Sequence, residues 1–248
     1  MDPLLPAPRI SVIIPALDEE KLLPLLLRQL DEGIRARFGL EIILSDGGST
    51  DATCAIAEDG GCRIVRHSEP SRQTIAAGRN AGAGAALGAI LVFINADVAL
   101  EDPVRFFEEV ERVMASPRVA GATCAVHVFP AEQRLSDWLF HIVHNAYVRF
   151  LNVIGEGMGR GECQILRRSL FEELGGYNPL LAAGEDYDLF RRVRRRGPIV
   201  FLPGITMYES PRRFRRYGYL RIVWGWTRNA FSVVVRNRSA SKEWETVR

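Results

Sequence analysis

The sequence predicts an α/β protein with a mostly parallel central sheet and helices on both faces. Three observations carry the prediction. Short β-favouring runs alternate with helical patterns through the first hundred residues, in the order βαβαβαβ. The fourth run, residues 90–95, is apolar up to Asn95, and Asn95-Ala96-Asp97 sets a carboxylate at the carboxyl end of a buried strand. Open α/β sheets bind ligands at that edge. The helical stretch before it, residues 73–88, is rich in alanine and glycine, small enough to lie close against a sheet.

The elements follow in order. Residues 10–14 are a short β-rich run stopped by Pro15. Residues 18–29 carry leucines at helical spacing behind an acidic first turn, so a helix is predicted there. Residues 41–44 read as the second strand, residues 51–58 as a helix capped by Ser49 or Thr50, and residues 63–66 as the third strand. The second half is less regular. Residues 119–129 have strand character, and residues 133–151 form a long aromatic-rich helix. The loop GEGMGRG, residues 155–161, is not a dinucleotide fingerprint, because no strand leads into it and no clear helix follows. Its glycines suit either a lid over a donor or a surface loop without a role. Residues 163–166 and 199–202 are short strands, and residues 185–196 are a helix ended by Gly197-Pro198. From Arg213 onward the chain is basic and aromatic with an amphipathic helical pattern. With no internal repeat or clear linker, the chain divides into a main domain, residues 1–210, and a C-terminal helical extension, residues 211–248.

Composition narrows the function. A chain of 248 residues with 47% hydrophobic and 25% charged residues buries a full core. The net charge of +2 gives no global reason to expect nucleic acid. Charge is unevenly placed: nine arginines and one acid, Glu209, lie between Arg191 and Arg216. Such a run is a solvated helix face or a surface for phosphate groups or anionic lipid. The four cysteines show no CxxC spacing, so they read as reduced thiols and not zinc ligands. His127, His141 and His144 bring no carboxylate cluster with them, so packing or acceptor contact is favoured over metal for them. The N-terminus lacks a basic start, and no stretch reaches the length of an uncharged membrane span. These readings predict a cytoplasmic chain.

Five carboxylates, Asp18, Asp46, Asp97, Glu185 and Asp186, sit at or near predicted element ends. Four of them have a structural alternative: Asp46 as a turn residue, Asp97 as a cap, Glu185 and Asp186 as an acidic first turn that favours the helix dipole. Sugar transfer from a nucleotide diphosphate needs carboxylates in such places. The diphosphate is neutralised by a divalent ion held through one or two of them, and the acceptor hydroxyl loses its proton to another.

Five motifs in order then resemble family 2 glycosyltransferases with the GT-A fold. Ser11-Val-Ile-Ile-Pro15-Ala-Leu-Asp18-Glu-Glu20 is similar to the family's opening P-x-Y-N-E strand, with Leu17 for the aromatic and Asp18 for Asn. Asp46-Gly-Gly-Ser-Thr-Asp51 resembles D-D-G-S-T-D, with Gly47 for the second Asp. Gly78-Arg-Asn80-Ala-Gly82 followed by Ala-Leu-Gly88 resembles the A-R-N-x-G…A-x-G helix. Asn95-Ala96-Asp97 stands at the D-x-D position, and Gly184-Glu185-Asp186-Tyr-Asp188-Leu resembles the segment carrying the base.

The resemblance spans residues 10 to about 203 and implies a three-layer αβα sandwich. It implies a nucleotide-diphosphate sugar donor, UDP- or GDP-linked, and inversion at the anomeric carbon, with retention, as in some GT-A families, the alternative. Pro15, Ala16, Asp18, Asp46, Arg79, Asn95 and Asp97 would bind the donor, with Asp97 also holding Mg2+ or Mn2+. Asp186 would be the general base, and Glu185 would orient it or touch the acceptor. Glu162 and Gln164 are candidates for sugar contacts, and Asp188 reads as structural. Asn95 removes one charge from the D-x-D pair and, with Gly47, keeps alive a degenerate, non-catalytic binding or scaffold module. A nucleotidyltransferase is rejected, because the place of its basic, glycine-rich phosphate loop holds the acidic PALDEE.

The tail interleaves Tyr217, Tyr219, Trp224, Trp226 and Phe231 with Arg215, Arg216, Arg221 and Arg228. An amphipathic helix of this kind lies in a membrane interface, which would suit a lipid-linked acceptor as well as a glycan, or packs on the main domain or a second subunit. The interfacial reading adds contact with the inner face of a membrane, and the packing reading admits a homodimer.

Overall fold

The computed structural model describes residues 7–69 and 73–236. The N-terminal reading at residues 1–6 and the tail beyond Arg236 lie outside the described residues, as does the side chain of Phe231.

Strand β1 (Ile10–Ala16) enters the sheet first, and α1 (Leu23–Gln29) follows it. Helix α1 starts later than its leucine pattern predicts. Asp18 takes a left-handed φ of 53°, and the backbone N–H groups of Glu19 and Glu20 donate to Thr53 and Asp51, so residues 18–22 form a turn. Helix α2 (Glu32–Phe38) has Asp31 as its cap, accepting from the Ile34 N–H at 2.9 Å. Sequence reasoning missed it because it is short. Strand β2 (Leu40–Asp46), α3 (Thr53–Asp59) and β3 (Arg63–Arg66) complete the first unit. Neither Ser49 nor Thr50 caps α3; its Ala52 cap makes no side-chain bond.

Helix α4 (Ile75–Gly84) is capped by Thr74, which accepts from the Ala77 N–H at 3.1 Å. Its small residues serve the predicted close approach: a Cβ on Gly82 would lie 2.5 Å from Ile13 of β1. Strands β4 (Ile90–Ile94) and β5 (Val98–Leu100) precede α5 (Pro103–Met114), which starts at a proline behind Asp102. Then come β6 (Gly121–Val128), α6 (Leu135–Val153), β7 (Cys163–Arg167), α7 (Arg168–Glu173), α8 (Glu185–Arg194), β8 (Ile199–Glu209), α9 (Arg212–Tyr217) and α10 (Tyr219–Arg236).

The eight strands form one sheet in the order β3-β2-β1-β4-β7-β6-β8-β5. Strands β3, β2, β1 and β4 are parallel, as is β6 with β8, while β7 and β5 run antiparallel to their neighbours. Alternation along the strands builds a core on each face. Val12, Ile14, Val92 and Ile94 pack with α1 and α5 on one side. Ile13, Leu91 and Phe93 pack with α4, α7 and α8 on the other. This is the three-layer arrangement the sequence predicts.

Candidate active site

One cavity of about 950 Å³ opens where β1 and β4 end. Pro15 and Ala16 reach it from the end of β1, Glu19 from the turn that follows, and Asn95, Ala96 and Asp97 from just past β4. The first half of α4 contributes Gly78 and Arg79, and the start of α8 contributes Glu185 and Asp186. Phe140, Val143 and Tyr147 of α6, with Arg212, Val223 and Trp226 from α9 and α10, form the opposite wall.

Eight predicted site residues therefore line one cavity: Pro15, Ala16, Arg79, Asn95, Asp97, Glu162, Glu185 and Asp186, while Gln164 is not among its lining residues. Asp18 and Asp46 are not among its lining residues. The Asp46 carboxylate accepts from the N–H groups of Gly48 (3.3 Å) and Ser49 (3.0 Å). Asp18 accepts from the Thr50 N–H at 2.8 Å. Both carboxylates thus shape the turn after β2, and their neighbours Glu19, Ser45 and Gly47 face the cavity.

Arg79 ties the site together. It is 1% exposed, and its guanidinium donates to Glu185 (3.0 Å), Asn95 (3.1 Å) and the Gly161 carbonyl (2.6 Å). Asn95 thus presents its amide oxygen to an arginine. Gly184 precedes Glu185 at φ 84°, a left-handed turn that suits glycine and swings α8 into the cavity. Asp186 accepts from the Tyr187 N–H at 2.8 Å. Burial pushes its carboxyl above the ordinary range, against the pull of Arg79. Burial, then the Asp186 charge beside it, pushes Glu185 up in the same way, with Arg79 opposing.

A second network lies around Asp97. Arg212 of α9 bridges Glu19 (2.5 Å) and Asp97 (3.0 Å). Arg160 is 1% exposed and binds Glu162 (3.0 Å), Glu209 (3.3 Å) and His144 Nδ1 (2.9 Å). Its backbone N–H also donates to Thr123 at 2.9 Å. The second half of the 155–161 loop is therefore anchored to the body. Sequence reasoning missed Glu19, Arg160 and Arg212. The only signal was charge density: Arg212 belongs to the arginine-rich run, whose lone acid, Glu209, is the partner of Arg160.

These carboxylates suit a divalent ion. Burial pushes the Asp97 carboxyl up, Arg212 opposes, and Glu162 adds to the rise. Burial and Glu162 likewise hold Glu209 well above its ordinary value despite Arg160. Carboxylate oxygens are the donors a hard cation takes, and here Asp97 is paired with Arg212 and Glu209 with Arg160. Among the described residues, no group of three or more His, Cys, Asp or Glu could hold a metal by itself.

Comparison with known proteins places this geometry. Residues 11–175, more than half of the chain, match the family model for glycosyl transferase family 2. Over 97 residues the chain is 35% identical to a 4,4'-diaponeurosporenoate glycosyltransferase from Staphylococcus haemolyticus, a match covering 38% of this chain and 25% of that protein. It resembles the mannosyltransferase PcManGT from Pyrobaculum calidifontis, solved with GDP-Man and Mn2+, at TM-score 0.61 and 21% identity. That likeness covers 82% of this chain and 57% of the other, so the chain spans a quarter to somewhat over half of these two relatives. It also resembles glucosyl-3-phosphoglycerate synthase from Mycobacterium tuberculosis, solved with Mn2+, UDP and glucosyl-3-phosphoglycerate, at TM-score 0.61 and 20% identity over 92% of this chain and 79% of that one. The shared architecture is the GT-A α/β fold, carrying a C-terminal helical extension. The chain belongs to glycosyl transferase family 2.

Proposed function

We propose that the chain transfers a sugar from a UDP- or GDP-sugar to the hydroxyl of a glycan or lipid-linked acceptor, with inversion at the anomeric carbon. The observation that carries the reading is that Asp97, Glu185 and Asp186 line one cavity, which opens where β1 and β4 end. Its volume, about 950 Å³, suits a nucleotide sugar. The ligands of two structural relatives, GDP-Man with Mn2+ and UDP with Mn2+, support the donor class.

In this reading Asp186 accepts the proton of the acceptor hydroxyl as its oxygen bonds to the anomeric carbon. The bond from that carbon to the diphosphate breaks, and its electron pair leaves with the nucleotide. Glu185 and Arg79 hold the start of α8, and so Asp186, in place. Asp97 would hold Mg2+ or Mn2+, which when bound neutralises the departing diphosphate. Arg212, already on Asp97, adds a fixed cation to the same wall.

Thermal stability with UDP or GDP, each with and without Mn2+, tests the reading. At a hundredfold excess over its Kd, a ligand of the folded state adds about 2.7 kcal/mol, or several degrees. A metal-dependent rise with one nucleotide in the wild type, lost in Asp97→Ala, is expected. No rise with any nucleotide would favour a degenerate, non-catalytic module.

A further inference from the structure

Helix α6 is built inside out. Its buried side carries Asp137, His141, Asn145 and Asn152 beside Val148 and Leu151, while Leu135, Leu139, Ile142, Phe150 and Val153 face solvent. Leu135 and Val153 are 78% and 81% exposed, and Arg149 is the one charged residue exposed along the helix. A helix on an aqueous surface shows the opposite pattern.

The rotation of α6 is fixed by its polar side. Asn145 exchanges two hydrogen bonds with the Val126 backbone, at 3.2 and 3.0 Å. Asn152 does the same with Met158, at 2.9 and 2.8 Å. Asp137 accepts from Arg215 at 2.7 Å and from the Tyr219 hydroxyl. Turning the apolar side inward would break all three sets and leave buried polar groups unpaired, at about 1–3 kcal/mol each.

Helix α10 packs beside it, with the Trp226 ring 5.1 Å from that of His144, and adds Leu220 (89% exposed) and Trp224 (69% exposed). Between Pro211 and Arg236 the chain has seven arginines and no acid. Arg216, Arg221 and Arg228 are exposed. A second copy meeting this face about a twofold axis would bring the same arginines and, from residues 211–236, no acid to answer them. Lipid phosphates would answer them. Exposed Trp138 and Tyr147 add the amphipathic rings that suit a headgroup layer. No described helix is long and apolar enough to cross a membrane, so contact is in the plane of the surface. Val143, Tyr147 and Val223 are exposed and also line the cavity, so the cavity opens onto this face.

We infer that α6 and α10 form a docking face for an anionic bilayer, with the cavity mouth turned toward the headgroups.

Vesicle flotation tests this with the full chain, using phosphatidylcholine vesicles with and without phosphatidylglycerol. The wild type floats with the anionic vesicles, and salt weakens the binding. Leu139→Glu with Phe150→Glu, both exposed and outside the cavity, lowers the partition at least about tenfold at an unchanged melting temperature. Arg216→Glu with Arg221→Glu abolishes the preference for anionic vesicles. A wild type that stays with the soluble fraction for both compositions overturns the inference. So does a dimer in analytical ultracentrifugation that the Leu139/Phe150 variant dissociates, since a second copy would then cover the face.

Discussion

Asp186 concentrates the chemistry of the proposed reaction in one residue. Its carboxyl must be ionised to accept a proton, yet burial favours its neutral form. The acid limb of kcat/KM should therefore lie above the ordinary carboxylate value of about 4, with activity rising as pH increases through it. Asp186→Asn should lower transfer by roughly 10²–10⁴-fold while leaving nucleotide binding near wild type. Single-turnover assays beside a nucleotide titration separate the two effects. Activity within a fewfold of wild type would remove Asp186 from the base role. Asp97, Glu185 and Asp186 were legible in the sequence because each lies in a local motif at an element end. Arg212 was not, because its bond to Glu19 joins residues 193 positions apart. No short motif records a contact of that span. Asp18 and Asp46 sit in equally clear motifs, yet their carboxylates turn to backbone N–H groups of residues 48–50, a choice the motif leaves open.

Elements were legible where periodicity was long and uninterrupted. Most strands and helices of the first half were foreseen from alternation and leucine spacing, the short α2 excepted. Where local side chains captured the backbone the boundaries moved, as at residues 18–22, where Thr53 and Asp51 hold the N–H groups a helix would need. Strand β5, three residues long, was too short to show a period. The extension is tied down through Asp137 of α6, which is fully buried and bonded to Arg215 of α9 and Tyr219 of α10. The Arg215 interactions outweigh burial and hold that carboxyl below its usual range. Asp137→Asn keeps the shape and removes the charge. Because Arg215 remains partly exposed, the expected loss is about 2–3 kcal/mol, below that of a fully buried pair. Denaturant unfolding measures it, and a loss under about 0.5 kcal/mol would mean that apolar packing alone seats α9 and α10.

At the scale of the whole molecule, folding traps groups on both sides of neutrality, and their pH effects oppose one another. Asp97, Glu185, Asp186 and Glu209 have raised values, so the folded state binds their protons more readily and gains stability as pH falls. The histidines act the other way. His141 is fully buried, its ring nitrogens make no hydrogen bond, and burial followed by Arg160 pushes it down to about 3. Glu209 Oε1, 3.6 Å from its Nε2, does not overcome this, since that carboxyl itself tends to the neutral form. The unfolded chain takes up the His141 proton near pH 6.5 and the folded chain does not, so the wild type loses stability as pH falls from there toward 3. His141→Phe removes that linkage. It keeps a ring against Phe140 and Phe214 and gives up no hydrogen bond. The carboxylate contributions are shared by both proteins and largely cancel in the difference. Relative to wild type, His141→Phe should gain about 1.4 kcal/mol per pH unit below 6.5, or about 2 kcal/mol between pH 7.5 and pH 5. Urea unfolding of both proteins across that range reads the difference directly. A difference that stays flat would mean that the folded protein binds a proton at His141, and that Glu209 is ionised beside it.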